Sequence, residues 1–204
     1  GWLTALYPLW ARLDEEATHE AALAALSALA VSGCSTSTDH HYLFPPGAGD
    51  LLGASIRAAR EVGLRFHPCR GSMDLGRSQG GLPPDEVVED RDAVLAATEE
   101  AIDRWHDPSP GSMLRVAVAP CSPFSVTGGL MRDAAELARR RGVRLHTHLA
   151  ETPEEELESA ILAEMERRGR LPNLSTFAFT ATPKSKTLEL FGTKRPDGKF
   201  APFH

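Results

Sequence analysis

The sequence has few cysteines and no paired ones. Cys34, Cys69 and Cys121 are far apart and odd in number, and no CxxC pair occurs, so neither a disulfide framework nor a zinc knuckle is indicated. This use of cysteine is typical of a reducing compartment, and we expect a cytoplasmic protein. No apolar run reaches the ~18 residues of a membrane span, and nothing at the N-terminus resembles a signal peptide, so we expect no membrane partner.

Lysine is absent from the first 183 residues, where arginine replaces it, and the lysines that do occur are Lys184, Lys186, Lys194 and Lys199. The chain carries a net charge of −6 with a pI of about 5.8. This balance argues against a nucleic-acid surface, because phosphate binding requires clustered lysine and arginine. With 204 residues, 42% of them hydrophobic, the chain is long enough for one soluble domain with a sizeable core.

Four short apolar segments are predicted strands, at residues 33–39, 63–70, 113–124 and 142–151. Helical patterns lie before and between them, at about residues 15–32, 50–62, 84–105 and 128–140, and Thr127 is the predicted N-cap of the last helix. Strands that alternate with helices indicate βαβ units and a parallel sheet. The chain is therefore predicted to have an α/β fold.

Polar side chains follow the strand ends, at the edge that carries active sites in parallel α/β folds. They are Asp39, His40, His41, Arg70, Cys121, Ser122, His148 and Glu151. The loop over residues 70–86 is long and rich in glycine, proline and polar residues, which is typical of a lid or a binding loop.

The fourth predicted strand carries an HxHxxE pattern formed by His146, His148 and Glu151. Alternate residues share one face of a strand, so both imidazoles could point the same way. A hydrolytic metal site needs neutral imidazoles, an open position for water and a carboxylate that moves protons. The alternative is a pair of half-exposed histidines near a helix start, where Glu151 interacts favourably with the helix dipole.

The other candidates each have an ordinary structural alternative. His40 and His41 are adjacent, so at most one should face a site, and a polar loop is the alternative. Arg70 could hold an anionic or carbonyl-rich substrate in its fork, or it could be a surface arginine. Cys121 could be a nucleophile, but no base is identifiable near it in sequence, which favours a small packed residue.

Residues 1–152 resemble the amidohydrolase superfamily, in its branch of cytosine deaminases and chlorohydrolases. Within that branch they are most similar to the group of 8-oxoguanine deaminases and hydroxyatrazine hydrolases. The segments that carry the resemblance are "GCSTSTDHHYLFP", "HPCRGSMDLGRSQGGLPPDEVVED", "HDPSPGSMLRVAVAPCSPFSV" and "LHTHLAET". Together they cover about three quarters of the chain.

This resemblance implies a metal-dependent (β/α)8 TIM-type barrel, of which the chain would hold about strands 2–5 of eight. It implies zinc or iron as the cofactor, His148 as a metal ligand, Glu151 as the proton shuttle and His146 as a strand residue that supports the ligands. Arg70 and its loop would lie over the substrate, and Cys121 would line the pocket. The implied partner is a small aminated purine or triazine ring, and a homo-oligomer is compatible with the family.

The same resemblance implies that most of the metal ligands lie outside the chain. The HxH pair of strand 1 would precede Gly1, and the histidine of strand 6 and the aspartate of strand 8 have no match after Thr152. A full barrel takes about 250 residues. We therefore expect residues 1–152 to be an incomplete barrel, a fragment that is inactive as a deaminase.

Residues 157–204 resemble another family, the motor subunit of type I restriction enzymes, through "RGRLPNLSTFAFTATPKSKTLELFG". This resemblance implies a short fragment of a RecA-like α/β helicase domain over 153–204, a chimeric junction near 152–158, and ATP-dependent DNA translocation as the alternative function. The chain has no GxxxxGK[ST] loop, which that chemistry needs. A small second domain is a further alternative, as is a non-functional chimera with exposed sheet edges.

Overall fold

A computed structural model describes residues 2–148, 193–194, 196 and 200–201 of the chain. The chain divides into two compact units, Gly1–Glu155 and Glu156–His204. The first unit contains helices α1 (Trp2–Trp10), α2 (Glu15–Val31), α3 (Leu51–Val62), α4 (Arg91–Trp105) and α5 (Gly128–Arg141) and strands β1 (Thr36–Thr38), β2 (Arg65–His67), β3 (Cys69–Ser72) and β4 (Ala117–Pro120). The loop between β3 and α4 contains two 3-10 turns, Arg77–Gln79 and Asp85–Val87.

The strands of the first unit pair in parallel and in chain order. β1 pairs with β2, and β3 pairs with β4. Single parallel bridges from Phe66 to Leu114 and from Val118 to Leu145 continue the same order. Because a helix separates each strand row from the next, this arrangement is consistent with part of a TIM-type barrel.

The predicted helices are confirmed to within one residue at α2, α3 and α5, whereas the start predicted for α4 is wrong. The segment was predicted to be helical from residue 84, but α4 begins at Arg91. Val88 is extended, and the Asp90 carboxylate accepts hydrogen bonds from the N–H groups of Asp92 and Ala93, both at 3.0 Å. Asp90 is therefore the N-cap, and it fixes the helix start after the turn that follows Pro84.

The predicted strands are longer than the observed ones. The segment at 63–70 is interrupted at Pro68, which has no N–H for a ladder, and pairing resumes in β3. In the fourth segment, the N–H groups of His146 and His148 each donate at 2.9 Å, to the carbonyls of Val118 and Cys121. That segment therefore follows β4 as far as the structure describes it.

An apolar core lies between the helices and the strands. Ile56, Val94, Val116 and Leu130 are fully buried within it. Leu26 of α2, Leu52 of α3 and Phe66 of β2 belong to one cluster. Burial of this kind is the main stabilising term in folding, and it holds the strand ends in place relative to one another.

The loop between β3 and α4 is fastened to the connection between β4 and α5. The Asp74 carboxylate accepts from the N–H of Thr127 at 2.7 Å and from its hydroxyl at 2.6 Å, and the Leu82 N–H donates to Phe124 at 2.9 Å. The Thr127 hydroxyl in turn accepts from the Leu130 N–H at 3.1 Å, so the predicted N-cap of α5 is confirmed. A lid function for this loop stays a prediction.

In the second unit, the described residues form a short antiparallel pair, β5 (Thr193–Lys194) with β6 (Phe200–Ala201). The segment that resembles a helicase, residues 168–192, lies outside the described residues, so its RecA-like assignment stays a prediction. None of the described helices has the length and apolar character needed to cross a membrane.

Candidate metal centre

Three histidines meet beyond the ends of β1 and β4. The ring of His40 lies with its centroid 4.4 Å from that of His146 and 4.0 Å from that of His148. His40 follows β1, whereas His146 and His148 lie on the segment beside β4. The parallel strand order thus brings together histidines from opposite ends of the first unit.

The backbone carbonyl of Cys121 orients this group. It accepts hydrogen bonds from the His148 N–H at 2.9 Å, from the Thr147 hydroxyl at 3.3 Å and from Nε2 of His40 at 3.3 Å. The other ring nitrogen of His40, Nδ1, is buried and has no hydrogen-bond partner among the described residues. A buried polar atom without a partner is rare and is often a site for an absent ion or water.

Cys69, at the start of β3, is a further member of this group. Its side chain is fully buried, and its sulfur lies 3.1 Å from the carbonyl oxygen of Asp39 and 3.3 Å from Nδ1 of His146. The Asp39 carboxylate accepts from the Cys69 N–H at 2.7 Å. Cys69 is therefore in contact with both Asp39 and the imidazole of His146 at the strand ends.

Burial sets the protonation states of these groups. It lowers the pKa of His40 to about 3, with smaller contributions from electrostatic repulsion by the neighbouring His148 and His146 imidazoles. The pKa of His146 is lowered too, mainly by burial. Burial raises the pKa of Asp39 to about 6 and also raises the pKa of Cys69. His40 and His146 are thus neutral at pH 7, the form that binds a metal.

The donor atoms fall into two overlapping triads, His40 with Cys69 and His146, and His40 with Cys121 and His148. Within each triad the ligand atoms all lie within 4.8 Å of one another. Imidazole nitrogen and thiolate sulfur are the ligands that zinc prefers in proteins. The residues present therefore fit a divalent metal ion as part of its ligand set.

A family model described as "Amidohydrolase family" matches residues 2–180. The chain belongs to the amidohydrolase family. The match extends beyond residue 157, so it covers part of the segment that resembles a helicase in sequence.

Curated relatives and solved structures agree with this membership. The chain is 49% identical to 8-oxoguanine deaminase of Pseudomonas aeruginosa over 155 residues, covering 76% of this chain and 34% of that protein. It is 39% identical to hydroxydechloroatrazine ethylaminohydrolase of a Pseudomonas species over 151 residues, covering 74% of this chain and 31% of that protein. Atrazine chlorohydrolase of Arthrobacter aurescens, solved with zinc, gives a TM-score of 0.71 at 34% identity, covering 80% of this chain and 37% of that one. This amidohydrolase chain thus spans about a third of the length of these relatives.

Of the predicted site residues of this amidohydrolase chain, the structure brings together His146, His148 and Cys121. Cys121 is buried, and its sulfur belongs to the second donor triad. Glu151 lies outside the described residues. The roles predicted for these residues in metal binding, proton transfer and substrate binding stay predictions.

Arg70 is buried, and its hydrogen bonds go to residues outside the two triads. Its guanidinium donates to the two carboxylate oxygens of Glu89 at 2.7 and 3.1 Å and to the carbonyl of Gly71 at 2.6 Å. It also lies 3.7 Å from the centre of the Phe44 ring. The fork predicted to hold substrate is thus occupied by Glu89 in this structure, and substrate binding by Arg70 stays a prediction.

Sequence reasoning did not single out Cys69 for the centre, and it left open which of His40 and His41 enters it. Cys69 precedes Arg70 on β3, and its pattern, a cysteine after His67 and Pro68, gave no signal. For His40 and His41 the sequence predicted that at most one would face a site. The structure shows which: His40 enters the centre, while His41 bonds the Leu43 carbonyl at 2.8 Å.

Proposed function

We propose that this chain is part of a metal-dependent hydrolytic deaminase that acts on an aminated purine or triazine ring. The observation that carries the proposal is the 49% identity to 8-oxoguanine deaminase, sustained over 155 residues. The histidine cluster at the strand ends supports it, because the carboxyl ends of barrel strands are where TIM-barrel enzymes hold their catalytic groups.

The proposal gives each site residue a role. His148 supplies one imidazole to the metal, zinc or iron, which when bound provides a water of lowered pKa for hydrolysis. Glu151 would hold and transfer the proton that the leaving amino group takes up. His146 supports the ligands, Cys121 lines the substrate pocket, and Arg70 and its loop lie over the substrate and contact it.

The chain alone is proposed to be inactive, because the resemblance places the HxH pair of strand 1, the histidine of strand 6 and the aspartate of strand 8 outside it. It spans 34% of the length of the deaminase it matches, and an open set of strands leaves a substrate exposed to water.

The described cysteines, Cys34, Cys69 and Cys121, are free thiols, which supports the proposed cytoplasmic location.

The decisive experiment supplies the missing part. Residues 1–152 would replace the corresponding third of the Pseudomonas aeruginosa enzyme, and ammonia release from 8-oxoguanine would be measured. We expect the chimera to release ammonia, Glu151→Gln to abolish the release, and the exposed Glu136→Gln to leave it intact. A folded, metal-loaded chimera without activity would contradict the proposal.

The inactivity of the chain itself has a separate test. The full 204-residue chain, assayed with zinc and 8-oxoguanine, is expected to release no more ammonia than its Glu151→Gln variant. Release that depends on Glu151 would show that the chain needs no further ligands.

A further inference from the structure

We propose that His40, Cys69 and His146 form a zinc site of their own, a triad of two imidazole nitrogens and one sulfur that this chain can load without any of the ligands it lacks. This site is distinct from the metal centre of the proposed deaminase, whose ligand in this chain is His148. It does not depend on the deaminase function, since it uses only residues that the structure places in contact.

The spacing of the donor atoms fits a tetrahedral zinc ion. With Zn–N distances of about 2.0–2.1 Å and a Zn–S distance of about 2.3 Å, tetrahedral ligands are separated by about 3.3–3.6 Å. The sulfur of Cys69 already lies 3.3 Å from Nδ1 of His146. The three donor atoms lie within 4.8 Å of one another, so roughly 1 Å of side-chain rotation closes the triad.

The charges around the triad favour a dication. Asp39 touches Cys69 through both its carboxylate and its carbonyl oxygen, and within residues 2–148 no arginine or protonated histidine forms an ion pair with it. Zinc binding would displace the proton of the Cys69 thiol to solvent, and the ion would then balance the resulting thiolate and the Asp39 carboxylate. The partnerless Nδ1 of His40 would gain the partner that a buried polar atom needs.

The competing triad of His40, Cys121 and His148 is less suited to hold the ion by itself. His148 is exposed, whereas His146 is half-buried and Cys69 is fully buried. A ligand set shielded from water holds its geometry and loses its ion less readily. The two triads share His40, so a single zinc ion bound by His40 can occupy only one of them.

The test uses the full chain with zinc alone as the probe. Zinc would be added to metal-free protein, and the bound metal would be measured by plasma mass spectrometry and by X-ray absorption. We expect one zinc per chain, with one sulfur at about 2.3 Å and nitrogen or oxygen ligands at about 2.0–2.1 Å. A zinc coordination shell without sulfur would by itself overturn the proposal, whatever the variants show.

Variants then identify which cysteine supplies the sulfur ligand and which histidine supplies the imidazole ligand. The double variant Cys34→Ser/Cys121→Ser leaves Cys69 as the one thiol of the chain and should keep the sulfur in the zinc shell. His146→Gln should weaken zinc binding by at least about 100-fold, the upper end of what the loss of a mere supporting residue costs. His148→Gln should leave zinc binding unchanged.

Each opposite result counts against the triad. Loss of the sulfur signal in the double variant, or loss of zinc in His148→Gln, would place the ion in the competing triad. Because the double variant keeps Cys69, its outcome does not depend on whether a chain without Cys69 folds. Failure of the deaminase chimera would leave this site untouched, so the two proposals fail separately.

Discussion

Cys69 and Arg70 are neighbours on β3, yet they enter two buried polar clusters of opposite character. Arg70 has its guanidinium on both oxygens of Glu89 and on the Gly71 carbonyl. Cys69 joins His146 and His40, and there the buried Nδ1 of His40 has no partner in the described part of the chain. Alternate residues of a strand face opposite ways, so one strand carries both clusters.

The contrast separates a polar group that holds the fold from one that is available to a ligand. A paired buried charge stabilises its surroundings because breaking the pair leaves the other charge stranded. An unpaired buried group lowers stability, and proteins commonly retain such groups where function requires them. The loss of a polar side chain should therefore lower the free energy of unfolding strongly in the paired cluster and hardly at all in the unpaired one.

The largest effect is expected at the paired cluster. Arg70→Leu should lower the free energy of unfolding by about 3–5 kcal/mol, because it strands the Glu89 carboxylate in a partly buried position. Urea unfolding followed by tryptophan fluorescence would measure it. All three tryptophans, Trp2, Trp10 and Trp105, belong to the first unit, so the signal reports on that unit.

The double variant Arg70→Leu/Glu89→Leu is the control for that experiment. Because it removes both charges, it should recover most of the stability lost in Arg70→Leu. A loss below about 1 kcal/mol in the single variant, the range of an exposed pair, would mean that the Arg70 cluster does not hold the fold.

A smaller loss is expected at a second paired group, Thr127. Thr127→Ala removes the N-cap bond to Leu130 and the bond to Asp74, and should lower the free energy of unfolding by about 1–2 kcal/mol. Thr127→Ser keeps the hydroxyl and is the matched control. Equal losses in both variants would show that the methyl group, and not the cap, stabilises α5.

The sequence predicted the regular parts of this fold because their signals are local. Thr127 before an amphipathic segment marks a helix start, and the alternation of strands and helices indicates a parallel order. The start of α4 was missed because Asp90 competes with the earlier Pro84 as a helix signal, and only the contacts of the loop decide between them.

The site was predictable only in part, for a different reason. The HxHxxE pattern is local, so His146 and His148 could be found from spacing. His40 and Cys69 join them through strand pairing between distant segments, and no spacing encodes which of the adjacent His40 and His41 turns inward. The partner of Arg70 is equally non-local, since Glu89 lies beyond the whole loop.

A third prediction concerns a histidine in the opposite situation from His40. His19 on α2 pairs with Glu61 at 2.9 Å and with Glu20 at 3.2 Å, and these bonds raise its pKa. The pairing therefore stabilises the fold fully below about pH 6.5, the pKa of an unperturbed histidine, and the contribution is lost as the pH rises through the raised folded pKa.

His19→Gln should accordingly lower the melting temperature at about pH 5 more than at about pH 9. The effect should be smaller than that of Thr127→Ala, because the pair is exposed and partly screened. Thermal unfolding of both proteins at the two pH values would measure it. A difference that does not change with pH would contradict the ion-pair origin.

The smallest effect is expected where the polar group has no partner. In chelator-treated protein, His40→Leu should change the free energy of unfolding by no more than about 0.5 kcal/mol. The substitution removes one long hydrogen bond to the Cys121 carbonyl, which still accepts hydrogen bonds from His148 and Thr147. It also removes the buried Nδ1 atom that has no hydrogen-bond partner among the described residues. The matched control is His41→Leu, which loses a 2.8 Å bond to Leu43 and a stacked contact with Phe44 and should cost about 1 kcal/mol. His40→Leu could instead lower the free energy of unfolding more than His41→Leu does. The histidine cluster would then stabilise the fold as the Arg70 cluster does, and the proposed difference between the two faces of β3 would be wrong.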